Sequence, residues 1–166
     1  MAVTGKIDRK YMAHYIDAGS LCGGLTPKYE RLGKDLEEYN VELNPDTETS
    51  KNILGESTFK HNGYEVSSEA DPYYADTTSD LFTALQKIVD GRLKDDSLKT
   101  KAVEVHLWTE ATAGKYEAYQ QDCYVVPTSY GGDTSGYQIP FTVNYVGERV
   151  KGKFDINSGT FTVDSE

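Results

Sequence analysis

The sequence has few of the features that mark exported, disulfide-bonded or membrane-spanning proteins. Its two cysteines, Cys22 and Cys123, lie far apart, so they predict neither a disulfide framework nor a paired metal-ligand spacing. No apolar stretch follows the charged residues of 1–10, so we expect no signal peptide. No run approaches the ~18 apolar residues of a membrane span. The sequence therefore predicts free thiols in a reducing cytoplasm and no membrane anchoring.

Positive charge is also scarce. Seventeen Lys and Arg stand against 27 Asp and Glu, which gives a formal net charge of -10. Such an acidic surface should repel the phosphate backbone of nucleic acid. Composition alone favours a simpler explanation, in which the acidity only aids solubility. Under either explanation the chain is not expected to bind nucleic acid specifically.

Recognisable catalytic and metal-binding motifs are missing. His14, His61 and His106 lie on separate predicted elements, and none stands in an H-E-x-x-H frame or beside a candidate nucleophile. Asp46 and Glu48 lack the D-x-[DN]-x-[DN]-G spacing of a calcium loop. Carboxylates are numerous enough to form a glycosidase pair by chance, which the sequence does not exclude. We expect no enzyme, no cofactor and no metal.

Tyrosine and glycine are abundant, with 13 and 15 residues respectively. This composition indicates short strands and turns more than a helical bundle. Because 37% of the 166 residues are hydrophobic, the chain suits a single domain over residues 1–166 with one core. We predict a mainly β fold with one flanking α-helix, an antiparallel β-sandwich or barrel with a long inter-strand loop.

The last third of the chain alternates between apolar and polar residues. Alternation over 139–145 resumes over 150–156, and Gly147 with Glu148 between them suggests a two-residue hairpin turn. A third strand, over 161–163, is expected after the turn at 157–159. The pattern therefore predicts a three-stranded antiparallel meander with one apolar side.

A second hairpin is predicted where Asn62 precedes Gly63, the strongest short-range hairpin dipeptide. A type I′ turn there would place Lys60 opposite Glu65. One side of this hairpin is polar throughout, so it should face water or the polar surface of another subunit. That side comprises Thr58, Lys60, Glu65 and Ser67.

One helix is predicted, over residues 78–91. Thr78 or Ser79 can cap its start, and Gly91 lies where it should end. Its apolar residues recur at helical spacing and should pack against a sheet. They are Leu81, Leu85, Ile88 and Val89.

Residues 33–53 form a polar, acidic segment that contains Pro45 and shows little periodicity. A connection of this length without secondary structure is uncommon unless it is disordered or binds something. We expect a loop that contacts another subunit, with a solvated loop as the alternative. Its charged residues are Lys34, Asp35, Glu37, Glu38, Glu42, Asp46, Glu48 and Lys51.

Three stretches resemble the tail tube (major tail) proteins of siphoviruses and prophages of Gram-positive bacteria. They are residues 32–56, the DPYYAD stretch at 71–76, and residues 130–141. The resemblance extends over nearly the whole chain. In that family a small β-sandwich or barrel with a flanking helix assembles into six-membered rings, and the rings stack into a tube for genomic DNA. No catalytic residues carry over from the family.

The resemblance implies a role for each polar surface. The eight charged residues of 33–53 become candidates for the contact between rings, and Thr58, Lys60, Glu65 and Ser67 become candidates for lining the lumen. Residues 1–14 would form a flexible N-terminal arm. The polar lumen would repel DNA in transit and so would not retard it.

The implied partners are further copies of this chain, a tape measure protein, a tail terminator, and distal tail or baseplate proteins. The implied location is the tail of a virion assembled in the cytoplasm of a bacterial host. Two alternatives stay open: a carbohydrate-binding β-sandwich in which exposed Tyr and Trp108 stack on sugar rings, and a tube subunit of a contractile tail or a phage-derived secretion system.

Overall fold

Twelve strands and one α-helix make up the described part of the chain, residues 2–34, 36–109 and 112–164 of a computed structural model. The elements are β1 (Met12–Asp17), β2 (Tyr29–Leu32), β3 (Val41–Glu42), β4 (Pro45–Lys51), β5 (Ser57–Tyr64), β6 (Ser67–Ala70), α1 (Asp80–Gly91), β7 (Lys99–His106), β8 (Lys115–Pro127), β9 (Gly131–Asp133), β10 (Gly136–Gln138), β11 (Phe141–Asp155) and β12 (Thr160–Val163). Short 3-10 turns occupy Arg9–Tyr11, Ala18–Gly23 and Asp95–Leu98.

The main sheet is antiparallel and runs in the order β2-β1-β7-β8-β11-β6-β3, with β12 also pairing with β11. It curls strongly, since the rings of Tyr15 on β1 and Phe154 on β11 lie 4.5 Å apart although two strands separate them. Two further ribbons, β4-β5 and β9-β10, stand apart from this sheet. The predicted fold class, mainly β with one flanking helix, is confirmed.

The predicted hairpin turn at Gly147 and Glu148 is wrong. Strand β11 continues through both residues and pairs with β8 on either side of them, with Tyr145 opposite Cys123 and Val150 opposite Gln120. Gly147 has φ +71°, a conformation that serves a bulge as well as a turn. Because β8 has 13 residues, it is long enough to pair with both halves of β11.

The predicted last strand is present as β12. Phe161 lies opposite Phe154, and Val163 lies opposite Gly152. A side chain at Gly152 would collide with the Phe161 ring and the carbonyl oxygen of Thr162, so this hairpin requires glycine there. The expected three-stranded meander is therefore reduced to the two strands β11 and β12.

The predicted helix is also present. Ser79 caps α1, because its Oγ accepts a hydrogen bond from the Phe82 amide at 3.2 Å. The helix ends at Gly91, and Arg92 after it adopts the left-handed conformation with φ 50°. All four residues of the predicted apolar stripe are buried: Leu81, Leu85, Ile88 and Val89.

The two faces of the sheet bury two separate clusters. The larger cluster lies between α1 and one face, and includes Phe141 and Val143. The smaller lies on the curled opposite face and centres on the fully buried Phe154. A strand buried on both faces can supply alternate residues to each, so β11 contributes to both clusters.

Three expectations for the first half of the chain are corrected. Strand β5 continues through Asn62 and Gly63, which form an irregularity in its pairing with β4, so Lys60 lies opposite Glu48 and not opposite Glu65. Residues 33–53 are not a structureless loop, since they contain β3 and β4. The N-terminal arm is shorter than residues 1–14, because β1 begins at Met12.

We expect Phe154→Ala to lower the free energy of unfolding by about 3–5 kcal/mol, because it removes a fully buried ring packed against Tyr15 and Tyr29. Urea denaturation would measure the change. Val163→Ala is the control, because Val163 is exposed and should cost less than about 1 kcal/mol. Equal losses in the two variants would show that the smaller cluster does not stabilise the fold.

Candidate assembly interface

The ribbon formed by residues 45–64, named here the arm, consists of β4, β5 and the turn between them. Its two strands pair with each other and with no third strand of the described residues. All seven residues of β4 are exposed, and in β5 only Gly63 is partly covered. An isolated two-stranded ribbon is marginally stable in water. The arm is therefore a surface suited to being covered by another molecule.

The tip of the arm, residues 52–56, is held by the side chain of Asn52. Its Oδ1 accepts hydrogen bonds from the amides of Leu54 at 2.9 Å and Glu56 at 3.0 Å, and its Nδ2 donates to Glu56 Oε2 at 3.0 Å. This turn presents Ile53 and Leu54 to solvent with relative exposures of 102% and 76%. The tip is an ordered apolar projection.

The root of the arm is fixed by a second asparagine. Asn44, with φ 44°, donates from Nδ2 to the carbonyl oxygen of Glu65 at 2.9 Å and to Ser67 Oγ at 3.2 Å. Asparagine tolerates this left-handed conformation better than most residues do. These bonds link the residue that precedes the arm to the residue that follows it and to β6.

A cleft of about 670 Å³ lies between the root of the arm and the main sheet; it is named here the base cleft. Five tyrosines line it: Tyr15, Tyr39, Tyr64, Tyr119 and Tyr145. Val41, Leu43 and Val66 add aliphatic surface from the chain that leads into and out of the arm. Concave, mostly apolar clefts of this size are typical binding sites.

An ion pair lies at the polar side of the base cleft. Glu104 Oε1 accepts a hydrogen bond from Arg149 at 2.9 Å and lies 2.8 Å from His106 Nε2. The guanidinium of Arg149 also lies over the Tyr119 ring at 4.0 Å. Burial alone would raise the pKa of Glu104, but the hydrogen bond with His106 and the charge of Arg149 outweigh it and lower that pKa.

His14 forms part of the floor of the base cleft. Its ring lies 4.7 Å from the ring of Tyr39, whose hydroxyl is hydrogen-bonded to Ser68 at 2.6 Å. Burial lowers the pKa of His14 from its ordinary value of 6.5 to about 4. The histidine is therefore neutral at physiological pH and contributes packing rather than charge.

The structure divides the predicted ring-contact residues into two groups. Asp46, Glu48 and Lys51 lie on the arm, whereas four of the others lie on the body of the subunit. Asp35 lies outside the described residues. The body group consists of Lys34, which pairs with Asp76 at 3.2 Å, together with Glu37, Glu38 and Glu42.

The predicted lumen residues do not share one hairpin face. Thr58 and Lys60 lie on β5 in the arm, Glu65 follows the arm, and Ser67 lies on β6 in the main sheet, opposite Asn144. The pairing that motivated their grouping is wrong, because Asn62 and Gly63 do not form the turn. Their position relative to a lumen stays a prediction.

Sequence reasoning missed the base cleft. Its residues come from β1, β7, β8, β11 and the chain on either side of the arm, so no local pattern identifies them. The tip could have been found, because Asn52 and Gly55 bracket two apolar residues at the end of a polar segment.

Two further properties concern the described residues only. They contain no cluster of His, Cys, Asp and Glu side chains arranged to hold a metal ion. No helix among them has the length and apolar character needed to cross a membrane.

Comparison with known proteins gives a limited result. No protein-family model matches the chain, and no curated protein does. Among solved structures, the chain is similar to the sheath/tube terminator of an extracellular contractile injection system, PVC, in its extended state. The TM-score is 0.49 and the sequence identity is 10%, over 90% of this chain and 99% of that chain.

The buried neutral His14 predicts a pH dependence of stability. Between pH 6.5 and about 4 the unfolded chain carries a protonated His14 and the folded chain does not, so stability should fall as the pH falls through this window. The full shift corresponds to ~3 kcal/mol. His14→Phe, which keeps an aromatic ring beside Tyr39, should flatten this part of a urea stability curve. An unchanged slope would contradict the assignment.

Proposed function

We propose that this chain is a structural subunit of a phage tail or a tail-like tube, and not an enzyme. More specifically, it is the tail tube subunit of a long non-contractile tail of a bacteriophage or prophage. Its copies form six-membered rings, and the rings stack into the conduit for genome delivery. The observation that carries the proposal is the arm, a ribbon that pairs with no third strand among the described residues. Its first strand and its tip both fall entirely within residues 32–56, which resemble tail tube proteins.

The arm is the candidate for contact between rings. It exposes Phe59 and Tyr64 as well as the apolar tip, so its burial against another copy would remove apolar surface from water. Asp46, Glu48 and Lys51 accompany these residues and would select the partner by charge. The remaining candidates, on the body, would contribute from the receiving side.

The edges of the main sheet are candidates for contact within a ring. β2 forms one edge, and the short strands β3 and β12 lie at the other side. Unpaired strand edges favour pairing with another chain. Pairing of β2 with the opposite side of a neighbouring copy would remove both edges and close a ring.

A tube built from this chain would also have a lumen, assembly partners and a location. Its lumen would repel DNA in transit by excess carboxylate, with Thr58, Lys60, Glu65 and Ser67 as the lining candidates. The partners would be further copies of the chain, a tape measure protein, a tail terminator, and distal tail or baseplate proteins. The location would be the virion tail after assembly in the bacterial cytoplasm. Use in a contractile tail or a secretion tube remains the closest alternative.

A carbohydrate-binding module is the second candidate function. The observation that favours it is the base cleft, which combines five tyrosines with Glu104, Gln121 and Arg149. Trp108 is less suited to a sugar ring than the sequence suggested, because His106 stacks on one of its faces at 4.3 Å. A binding module should show saturable glycan binding as a monomer.

The proposal is tested by negative-stain electron microscopy of the purified chain at rising concentration, with light scattering alongside. We expect rings or hollow tubes of uniform width. The matched variant replaces Asp46 through Gly63 with two glycines, since Pro45 and Tyr64 are cross-strand partners that a two-residue turn can join. It should stay folded and fail to assemble. Removing all of 33–53 would be uninformative, because Tyr39 is buried in the core.

Normal tubes from the variant without the arm would refute the role of the arm. A parent chain that stays monomeric and binds a glycan specifically would instead favour the carbohydrate-binding function.

A further inference from the structure

We propose that the tip of the arm of one copy docks into the base cleft of the next copy. This inference rests on the proposed self-assembly and goes beyond it, because it names the two surfaces that meet. The donor surface is residues 52–56, and the acceptor is the cleft between the arm's root and the main sheet. The occupant of the cleft is therefore a second copy of this chain.

The tip is already in a shape that can dock. Backbone bonds from the Asn52 amide to the Glu56 carbonyl and from the Gly55 amide to the Asn52 carbonyl, both 3.1 Å, add to the side-chain bonds of Asn52. A preorganised segment loses little conformational entropy on binding. Ile53 and Leu54 project from this turn, and both side chains are largely exposed to solvent.

The base cleft provides an apolar surface against which the exposed side chains of the tip can pack. Its aliphatic and tyrosine walls are suited to two aliphatic side chains, and its volume of about 670 Å³ lies within the range of about 300–1,000 Å³ that is typical of binding sites. Leu43 and Tyr64 are exposed with relative accessibilities of 55% and 60%, although both contribute to the cleft. Docking would remove these side chains from water together with the tip.

Charge complementarity selects the tip over other apolar segments. Glu56 at the tip uses Oε2 to accept from Asn52, which leaves Oε1 for a second donor. In the cleft, Glu104 already accepts hydrogen bonds from Arg149 and His106. The side chain of Arg149 is 47% exposed, whereas that of Glu104 is 22% exposed. The exposed side of Arg149 is thus available to Glu56, and Arg is well suited to carboxylates.

The arm's length makes the contact intermolecular. Seven residues of β4 extend about 23 Å at ~3.3 Å per residue, so the tip cannot reach the cleft at its own root. Each copy therefore donates one tip and offers one cleft. Such a heterologous contact repeats from copy to copy without a twofold axis, as a ring or a stacked tube requires.

Cysteine cross-linking tests the contact directly. Leu54→Cys combined with Leu43→Cys places one thiol on the tip and one in the cleft. The matched control combines Leu25→Cys with Leu43→Cys, since Leu25 is also almost fully exposed, at 96%. Both pairs are made in a Cys22→Ser background, because the native thiol of Cys22 is free and partly exposed. A disulfide between the thiols introduced at positions 54 and 43 of one copy is excluded, because the length of β4, about 23 Å, is far above the 7 Å limit on the Cα separation. Mild oxidation of concentrated protein should give a ladder of covalent oligomers only with the Leu54 and Leu43 pair.

Assembly of tip variants gives a second readout. Ile53→Ser with Leu54→Ser should raise the concentration needed for assembly at least about tenfold, whereas Leu25→Ser should leave it unchanged. Glu56→Gln should also weaken assembly and reduce its dependence on salt. Light scattering measures the concentration at which each full-length variant assembles.

The outcomes separate this inference from the proposed function. Tubes that form normally, without a cross-linked ladder and with the double serine variant assembling like the parent, would overturn the tip-to-cleft contact and leave the tube. A parent chain that neither assembles nor cross-links at any concentration would overturn both.

Discussion

The pairing of β8 with β11 is the constraint on which the rest of the subunit depends. These two strands match twelve positions across the irregularity at Gly147. One half of β11 passes the sheet on to β6, the other half to β12, and the free side of β8 carries β7, β1 and β2. The larger buried cluster uses Phe141 from one end of β11, and the smaller uses Phe154 from the other. Neither cluster could form without this ladder, because each needs the sheet face that the ladder creates.

The same ladder explains where sequence reasoning succeeded and failed. The helix was predictable because its stripe and its Ser79 cap are local. The turns assigned at Gly147 and at Gly63 were not predictable, because glycine with positive φ suits a bulge as well as a turn, and only the pairing with another strand decides between them. A hairpin would have put Phe141 and Phe154 on one face. The continuous strand puts them on opposite faces, and both arrangements produce the same alternating sequence.

The candidate interface was likewise only partly predictable from the sequence. The first strand of the arm was mistaken for part of a loop because both of its faces are exposed, and a strand with no buried face has no apolar alternation to reveal it. Its acidic residues were nevertheless recognised as part of an exceptional segment. The base cleft had no comparable signal, since Tyr39, Tyr145 and Arg149 are brought together only by the topology of the sheet.

The way in which the arm is attached to the fold would allow a stable subunit to associate with further copies, as proposed. It joins the body through residues bonded by Asn44, and it contributes nothing to either buried cluster. Covering the arm therefore need not disturb the β8-β11 ladder. The net charge of -10 keeps separate copies apart at long range, so association depends on a short-range contact of sufficient apolar area. In the proposed assembly, an ordered root and an ordered tip would supply that contact with little loss of conformational entropy, which would favour specific docking over nonspecific aggregation.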